Sequence, residues 1–128
     1  VRRSLEFRMY RTDKITEEMI DTKLALAGQP GMKEARESMR RYRINLDSDS
    51  NQAQVFSLKD RLPQIDVPIC IIWGTEDRSA PVALGHALRE LLPHAEYHEI
   101  PEAGHHSFLD QPDIMNDLLI RYLSEPSK

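Results

Sequence analysis

The sequence contains a single cysteine, Cys70. No intrachain disulfide can form, so the fold must be held by packing alone. A lone thiol inside an apolar run reads as a buried packing group, and a cytoplasmic enzyme fits it. No run is long enough for a transmembrane helix, no signal peptide opens the chain, and no membrane partner is expected. An excess of positive charge is missing too. The net charge is −4, which gives no reason to invoke nucleic acid. Internal repeats and low-complexity segments are absent, which excludes solenoid and fibrous classes. The chain opens on Val1 rather than Met, which suggests a cleaved or truncated product, although a trimmed chain would read the same.

What is present is ordinary soluble composition: 128 residues, 40% hydrophobic, with a mean hydropathy of −0.55, nominally one domain. Charge is unevenly placed. Residues 1–46 hold 11 Lys and Arg against 7 Asp and Glu, a net of +4, whereas residues 47–128 hold 6 against 14, a net of −8. Such a split between halves accompanies either different roles or two solvated faces.

One stretch, 65–106, organises the rest. Val67 to Trp73 is apolar and β-branched, which predicts a strand buried on both faces, as in a parallel sheet. Gly74 ends it, and Asp77 follows in a loop. A helix comes next, with Pro81 in its first turn and Val82, Leu84, Leu88, Leu91 and Leu92 inward. Glu96 to Ile100 is a second strand and runs into Gly104 and His105. Strand, helix and strand make a right-handed βαβ unit. Its parallel strands bring Asp77 and His105 to the same carboxyl edge, where open α/β folds place their sites.

Before this unit the spacing predicts three helices. The first covers residues 1–10, with Leu5, Met9 and Phe7 inward. The second is capped by Thr16 and carries Met19, Ile20, Leu24 and Ala27. Gly28-Gln29-Pro30-Gly31 breaks it. The third runs over 32–43, with Met32, Ala35, Met39 and Tyr42 apolar and Arg36, Arg40 and Arg43 along another face. Residues 47–52 are a polar linker and the candidate boundary, and 55–62 reads as a short helix. Pro112 opens a last helix with an apolar stripe of Ile114, Leu118, Leu119, Tyr122 and Leu123. Residues 125–128 read as a frayed tail.

Ile71-Ile72-Trp73-Gly74, then Asp77, then Gly104-His105 resembles the C-terminal half of an α/β-hydrolase, where an acid follows strand seven and a His follows strand eight. The acid and the His stand 28 positions apart here. The N-terminal helices, with Tyr10, Thr12-Asp13, Ile15-Thr16 and Gln29-Pro30, are similar to the lids of meta-cleavage-product hydrolases, which split carbon–carbon bonds in ring-fission products. Gly28-Gln29 and His106 stand where those enzymes commonly carry an Arg and a Trp. The resemblance implies a helical lid over 1–50 and the C-terminal part of the hydrolase core over 51–128.

It also implies that Asp77 and His105 are the acid and base of a Ser-Asp-His triad. The base takes the nucleophile's proton, and the acid holds the imidazole in one tautomer and stabilises imidazolium. Glu76 is the rival acid and His106 the rival base. The family register favours Asp77, and Gly104 favours His105, because glycine permits the tight turn that presents the next residue. No G-x-S-x-G occurs in the chain, and Ser79 and Ser107 read as loop hydroxyls. The nucleophile, the oxyanion hole and strands one to six are therefore expected on another segment.

All five histidines fall between His86 and His106, which raises a metal site. His94 and His98 would share a face only on a helix, against Pro93 and the strand, and no H-E-x-x-H is present. No metal or cofactor is expected.

Two functions fit. One is the catalytic half of a serine-type hydrolase acting on a carbon–carbon or ester bond of a small molecule, one with a carboxylate if the resemblance holds in detail. The alternative is a non-catalytic relative that binds a partner or pairs with itself as a homodimer. The arginines along the third helix would concentrate an anionic substrate or pair with acidic residues across the lid–core seam.

Overall fold

The computed structural model describes residues 1–48, Leu58 and residues 60–124, with side chains omitted at 44–48. The helix read over 55–62, the linker after Ser48, the boundary at residue 50 and the tail at 125–128 lie largely or wholly outside the described residues.

Three helices come first. α1 spans Arg2–Arg8. α2 spans Glu17–Ala27 and is capped as expected: the Thr16 hydroxyl accepts from the Met19 N–H at 3.2 Å, with Glu17 and Glu18 in the first turn. That arrangement satisfies an orphan donor and places negative charge at the positive end of the helix. The Gly28–Gly31 break holds, and α3 spans Met32–Ser48, longer than predicted because 44–48 continues the turn.

Leu5 and Met9 of the first segment and Ile20 of α2 form a small buried cluster, joined by Ile15, Met19 and Leu109. Other expected inward residues are not buried. Phe7 lies outside, under the Arg78 guanidinium at 5.5 Å from its ring centre. Leu24, Ala35, Met39 and Tyr42 are exposed. Helical spacing marks which face is apolar, but burial also needs a neighbour on that face, and these side chains of α2 and α3 stay exposed among the described residues.

The βαβ unit is present. β1 spans Cys70–Gly74 and β2 spans Glu96–Ile100, paired parallel from Cys70 with Glu96 to Gly74 with Ile100. β1 is shorter at its start than the apolar run because β2 offers only five partners and Pro68 has no N–H for a ladder. The expectation of burial on both faces fails here. Ile71 and Gly74 are buried, whereas Cys70, Ile72 and Trp73 are half-covered. Among the described residues the sheet has two strands, so the other edge of β1 has no strand beside it there. Partial burial still pushes the Cys70 thiol up.

Between the strands runs α4, Val82–Leu91, with Pro81 immediately before it rather than inside its first turn. Leu92 is buried and Val82, Leu88 and Leu91 are half-buried, but Leu84 is exposed. After β2 come a single turn, α5, Ser107–Asp110, and a last helix, α6, Pro112–Ser124. The covered stripe of α6 is Met115, Leu118 and Tyr122, the first two packed with Ile100, Ala103 and Ile72. Ile114, Leu119 and Leu123, read as part of that stripe, face outward with Ile120. A helix apolar on nearly all sides ordinarily sits between two layers, and the described residues supply one. Among the described residues no helix is long and apolar enough to cross a membrane.

Candidate active site

Parallel pairing brings the ends of β1 and β2 side by side, and the loops that leave them are stitched together. The Thr75 N–H donates to Ile100 O and the Glu76 N–H to Ala103 O, each at 3.0 Å. Gly74 makes the approach possible. A Cβ there would stand 2.3 Å from Ala103 O and 2.4 Å from Gly104 O.

The two residues singled out from the sequence meet at this edge. His105 Nδ1 lies 2.9 Å from Asp77 Oδ2. The Asp77 side chain is 7% exposed and the His105 side chain 44%. The second Asp77 oxygen, Oδ1, accepts the Ser79 and Ala80 N–H groups at 2.7 and 2.9 Å. Burial pushes the Asp77 carboxyl up. The Ala80 N–H, the His105 ring and the Ser79 N–H outweigh it and hold the carboxyl below the usual carboxylate range. An ionised Asp77 selects the His105 tautomer with the proton on Nδ1, which leaves Nε2 as the acceptor. Among the described residues Nε2 has no hydrogen-bond partner.

The rivals fall elsewhere. Glu76 Oε2 accepts the Ala103 N–H at 3.0 Å and the Thr75 hydroxyl, so its carboxylate braces the base loop from below. The His106 ring packs edge-on to Phe108 with centres 5.7 Å apart, and its Nε2 is buried without a partner. Burial, then Lys23, His105 and Arg8, push His106 down. Ser79 contributes its backbone to Asp77, and Ser107 opens α5. The remaining histidines are away from the edge: His86 bonds to Glu99 Oε1 at 2.6 Å and His98 to Glu96 Oε1 at 2.5 Å. Arg40 pairs with Glu37 on its own helix at 3.5 Å. Arg36 instead lines a cleft of about 620 Å³ with Arg8 and Lys23.

Sequence reasoning missed three supports. Asp110 is fully buried, Arg78 bonds to the carbonyls of Glu6 and Met9, and Glu76 has the bracing role above. A buried acid at the end of a one-turn helix carries no mark in sequence that separates it from a solvated one.

A strand–helix–strand unit with an acid and a histidine in contact at its carboxyl edge is the frame of an α/β-hydrolase. A family model described as the alpha/beta hydrolase fold matches residues 8–112, and the chain belongs to that family. Among curated relatives it is similar to a 2-hydroxy-6-oxononadienedioate/2-hydroxy-6-oxononatrienedioate hydrolase of Pseudomonas sp., 27% identical over 124 residues, covering 97% of this chain and 41% of the relative. Among solved structures it is similar in fold to the meta-cleavage product hydrolase CumD from Pseudomonas fluorescens IP01, determined with acetates. That match has a TM-score of 0.76 at 23% identity and covers 95% of this chain and 43% of the other. It is likewise similar to the 2-hydroxy-6-oxo-6-phenylhexa-2,4-dienoate hydrolase BphD from Rhodococcus sp. strain RHA1, with a TM-score of 0.76 at 19% identity, covering 97% and 43%. The chain thus spans about two-fifths of the length of the relatives it matches.

Proposed function

We propose that this chain is the C-terminal portion of a serine-type α/β-hydrolase, with residues 1–50 serving as lid and residues 51–128 as core, and that Asp77 and His105 are the acid and base of its triad. The observation that carries the reading is the 2.9 Å contact between His105 Nδ1 and the buried Asp77 carboxylate. A serine on another segment attacks the substrate carbonyl while His105 Nε2 takes its proton. The imidazolium, stabilised by Asp77, returns that proton to the leaving group, and water then releases the acyl group through the same base. The relatives' names support a ring-fission dienoate as substrate; the resemblance to meta-cleavage-product hydrolases adds cleavage of a carbon–carbon bond, with an ester as the simpler class. Their substrates carry carboxylates, which suits the net +4 of residues 1–46.

The test is kinetic. The complete polypeptide, with its Ser-bearing segment, is assayed on a 2-hydroxy-6-oxo-dienoate and on a nitrophenyl ester. Turnover of either that is abolished by His105→Ala supports the reading, and full turnover by that variant overturns it.

A second reading, a non-catalytic module that pairs with itself or a partner, is favoured by the outward-facing Ile114, Leu119, Ile120 and Leu123. A stable dimer of the 128-residue chain, with no hydrolase activity in any longer form, would establish it.

A further inference from the structure

The acid loop and the base loop are both fastened to the same short segment, Glu6 to Arg11. On the acid side, Arg78 next to Asp77 donates to the carbonyls of Glu6 and Met9 and stacks on Phe7. On the base side, the His106 N–H donates to Arg8 O at 3.1 Å. The carboxylate of Asp110 holds three further backbone donors. Oδ2 accepts the Gly104 N–H at 2.8 Å and the Tyr10 N–H at 3.1 Å, and Oδ1 accepts the Arg11 N–H at 2.8 Å. Its side chain is fully buried, and Lys14 closes the site by donating to the Asp110 carbonyl at 2.6 Å. At Gly104 a Cβ would stand 2.6 Å from Arg8 O, so backbone meets backbone there with no room for a side chain.

We infer that Glu6–Arg11 is a strap that sets the register of Asp77 against His105, and that Asp110 is the positioning residue that fastens it to the base loop. This rests on the Asp77–His105 pairing proposed above. The physical argument is one of stored conformation. Glu102, three residues before His105, has φ +54°, a backbone region that non-glycine residues occupy only when their surroundings enforce it. Local sequence therefore does not hold the base loop in place. The Gly104 and His106 N–H groups flank His105 in the chain: Arg8 O accepts the second, and Asp110 binds the first together with two donors of the strap. A buried carboxylate bound to three backbone donors cannot shift without breaking hydrogen bonds at buried or part-buried donors.

The experiment reads His105 itself. The complete polypeptide, with its Ser-bearing segment and labelled with nitrogen-15 histidine, is compared with its Asp110→Asn variant by NMR. Asparagine keeps the shape and one acceptor oxygen but turns an N–H₂ group toward the other donors. In the parent chain the His105 Nδ1–H proton is expected downfield and slow to exchange. In Asp110→Asn it should exchange at least about tenfold faster while the amides of the β1–β2 ladder keep their protection. If Asp110→Asn does not fold, Arg78→Gln, which loosens the exposed end of the strap, is expected to show the same selective change. An Nδ1–H signal present in the parent and unchanged in the folded variants overturns the positioning role. Its absence in the parent removes the Asp77–His105 pair itself, and with it the proposed function.

Discussion

His105 and Asp77 meet with their exposures inverted: the acid is 7% exposed and the base 44%. The buried partner is held by fixed dipoles, two loop N–H groups on Oδ1, and the exposed partner has a nitrogen, Nε2, that no described residue bonds. Such a pair fixes charge on one side and leaves proton transfer to the other, which is the division of labour a nucleophile's base requires. His106 lacks both halves of this arrangement. It has no carboxylate on its ring, and its free nitrogen is shut inside.

In the complete enzyme, His105→Ala should therefore lower kcat by at least about a thousandfold, and Asp77→Asn by a comparable factor through loss of the correct tautomer. His106→Ala should cost much less in kcat and more in thermal stability. Steady-state kinetics and melting curves on the three variants check this. A larger kcat loss at His106 than at His105 would show that the register is misread.

The dependence of stability on pH separates the same residues. His106 is pushed below its ordinary 6.5 by burial and by Lys23, His105 and Arg8. A depressed value means the folded state binds fewer protons than the unfolded state. The stability this contributes is present above 6.5 and is lost as pH falls toward the lowered value. Asp77, held below 3.8, follows the same sign in a lower window: its contribution is present above 3.8 and is lost only in stronger acid. Urea unfolding between about pH 7.5 and pH 5 should show falling stability for the parent chain and a flatter profile for His106→Leu. Parallel profiles would sink this assignment of the slope.

The βαβ unit and the Asp77–His105 contact of the candidate site were readable because both rest on local signals. The β-branched run at 69–72, the terminating Gly74 and the loop residues Asp77 and His105 each announce themselves by residue type, and parallel pairing then brings the two chemistry-bearing residues together. Burial was read less well, and for one reason. Leu24, Met39, Leu84 and Leu123 have apolar side chains at helical spacing yet lie exposed. Periodicity marks a face, whereas burial depends on whether a second layer exists to cover it. Asp110 and Arg78 were missed because their partners are backbone atoms, on the first segment about 100 and 70 positions away, and backbone atoms carry no sequence identity.

Gly74 provides a structural check on the edge itself. Gly74→Ala would place a methyl carbon 2.3 Å from Ala103 O and 2.4 Å from Gly104 O. Both are backbone atoms of the base loop, so no side-chain rotation relieves the overlap. The variant should lose on the order of 1–3 kcal/mol of unfolding free energy, the usual range for forced overpacking. It should also shift the His105 resonances. Denaturant titration gives the first quantity and NMR the second. A variant as stable as its parent would mean the two loops do not approach as closely as the structure has them.

The last prediction concerns the basic half. Three arginines line one side of α3, but their settings differ. Arg40 is engaged by Glu37 one turn earlier, an exposed pair worth little to stability. Arg36 lines the cleft with Arg8 and Lys23, and those last two also act on His106, beside the base. A carboxylate substrate approaching His105 would thus meet the field of Arg36, Arg8 and Lys23, with Arg40 already offset by its own acid. In the complete enzyme Arg36→Gln should raise KM for an anionic dienoate, with an effect that shrinks as salt is added, and leave KM for a neutral ester of similar shape nearly unchanged. Arg40→Gln should leave both nearly unchanged. Equal effects of Arg36→Gln on the two substrates would make that arginine a packing residue and remove the anionic-substrate argument.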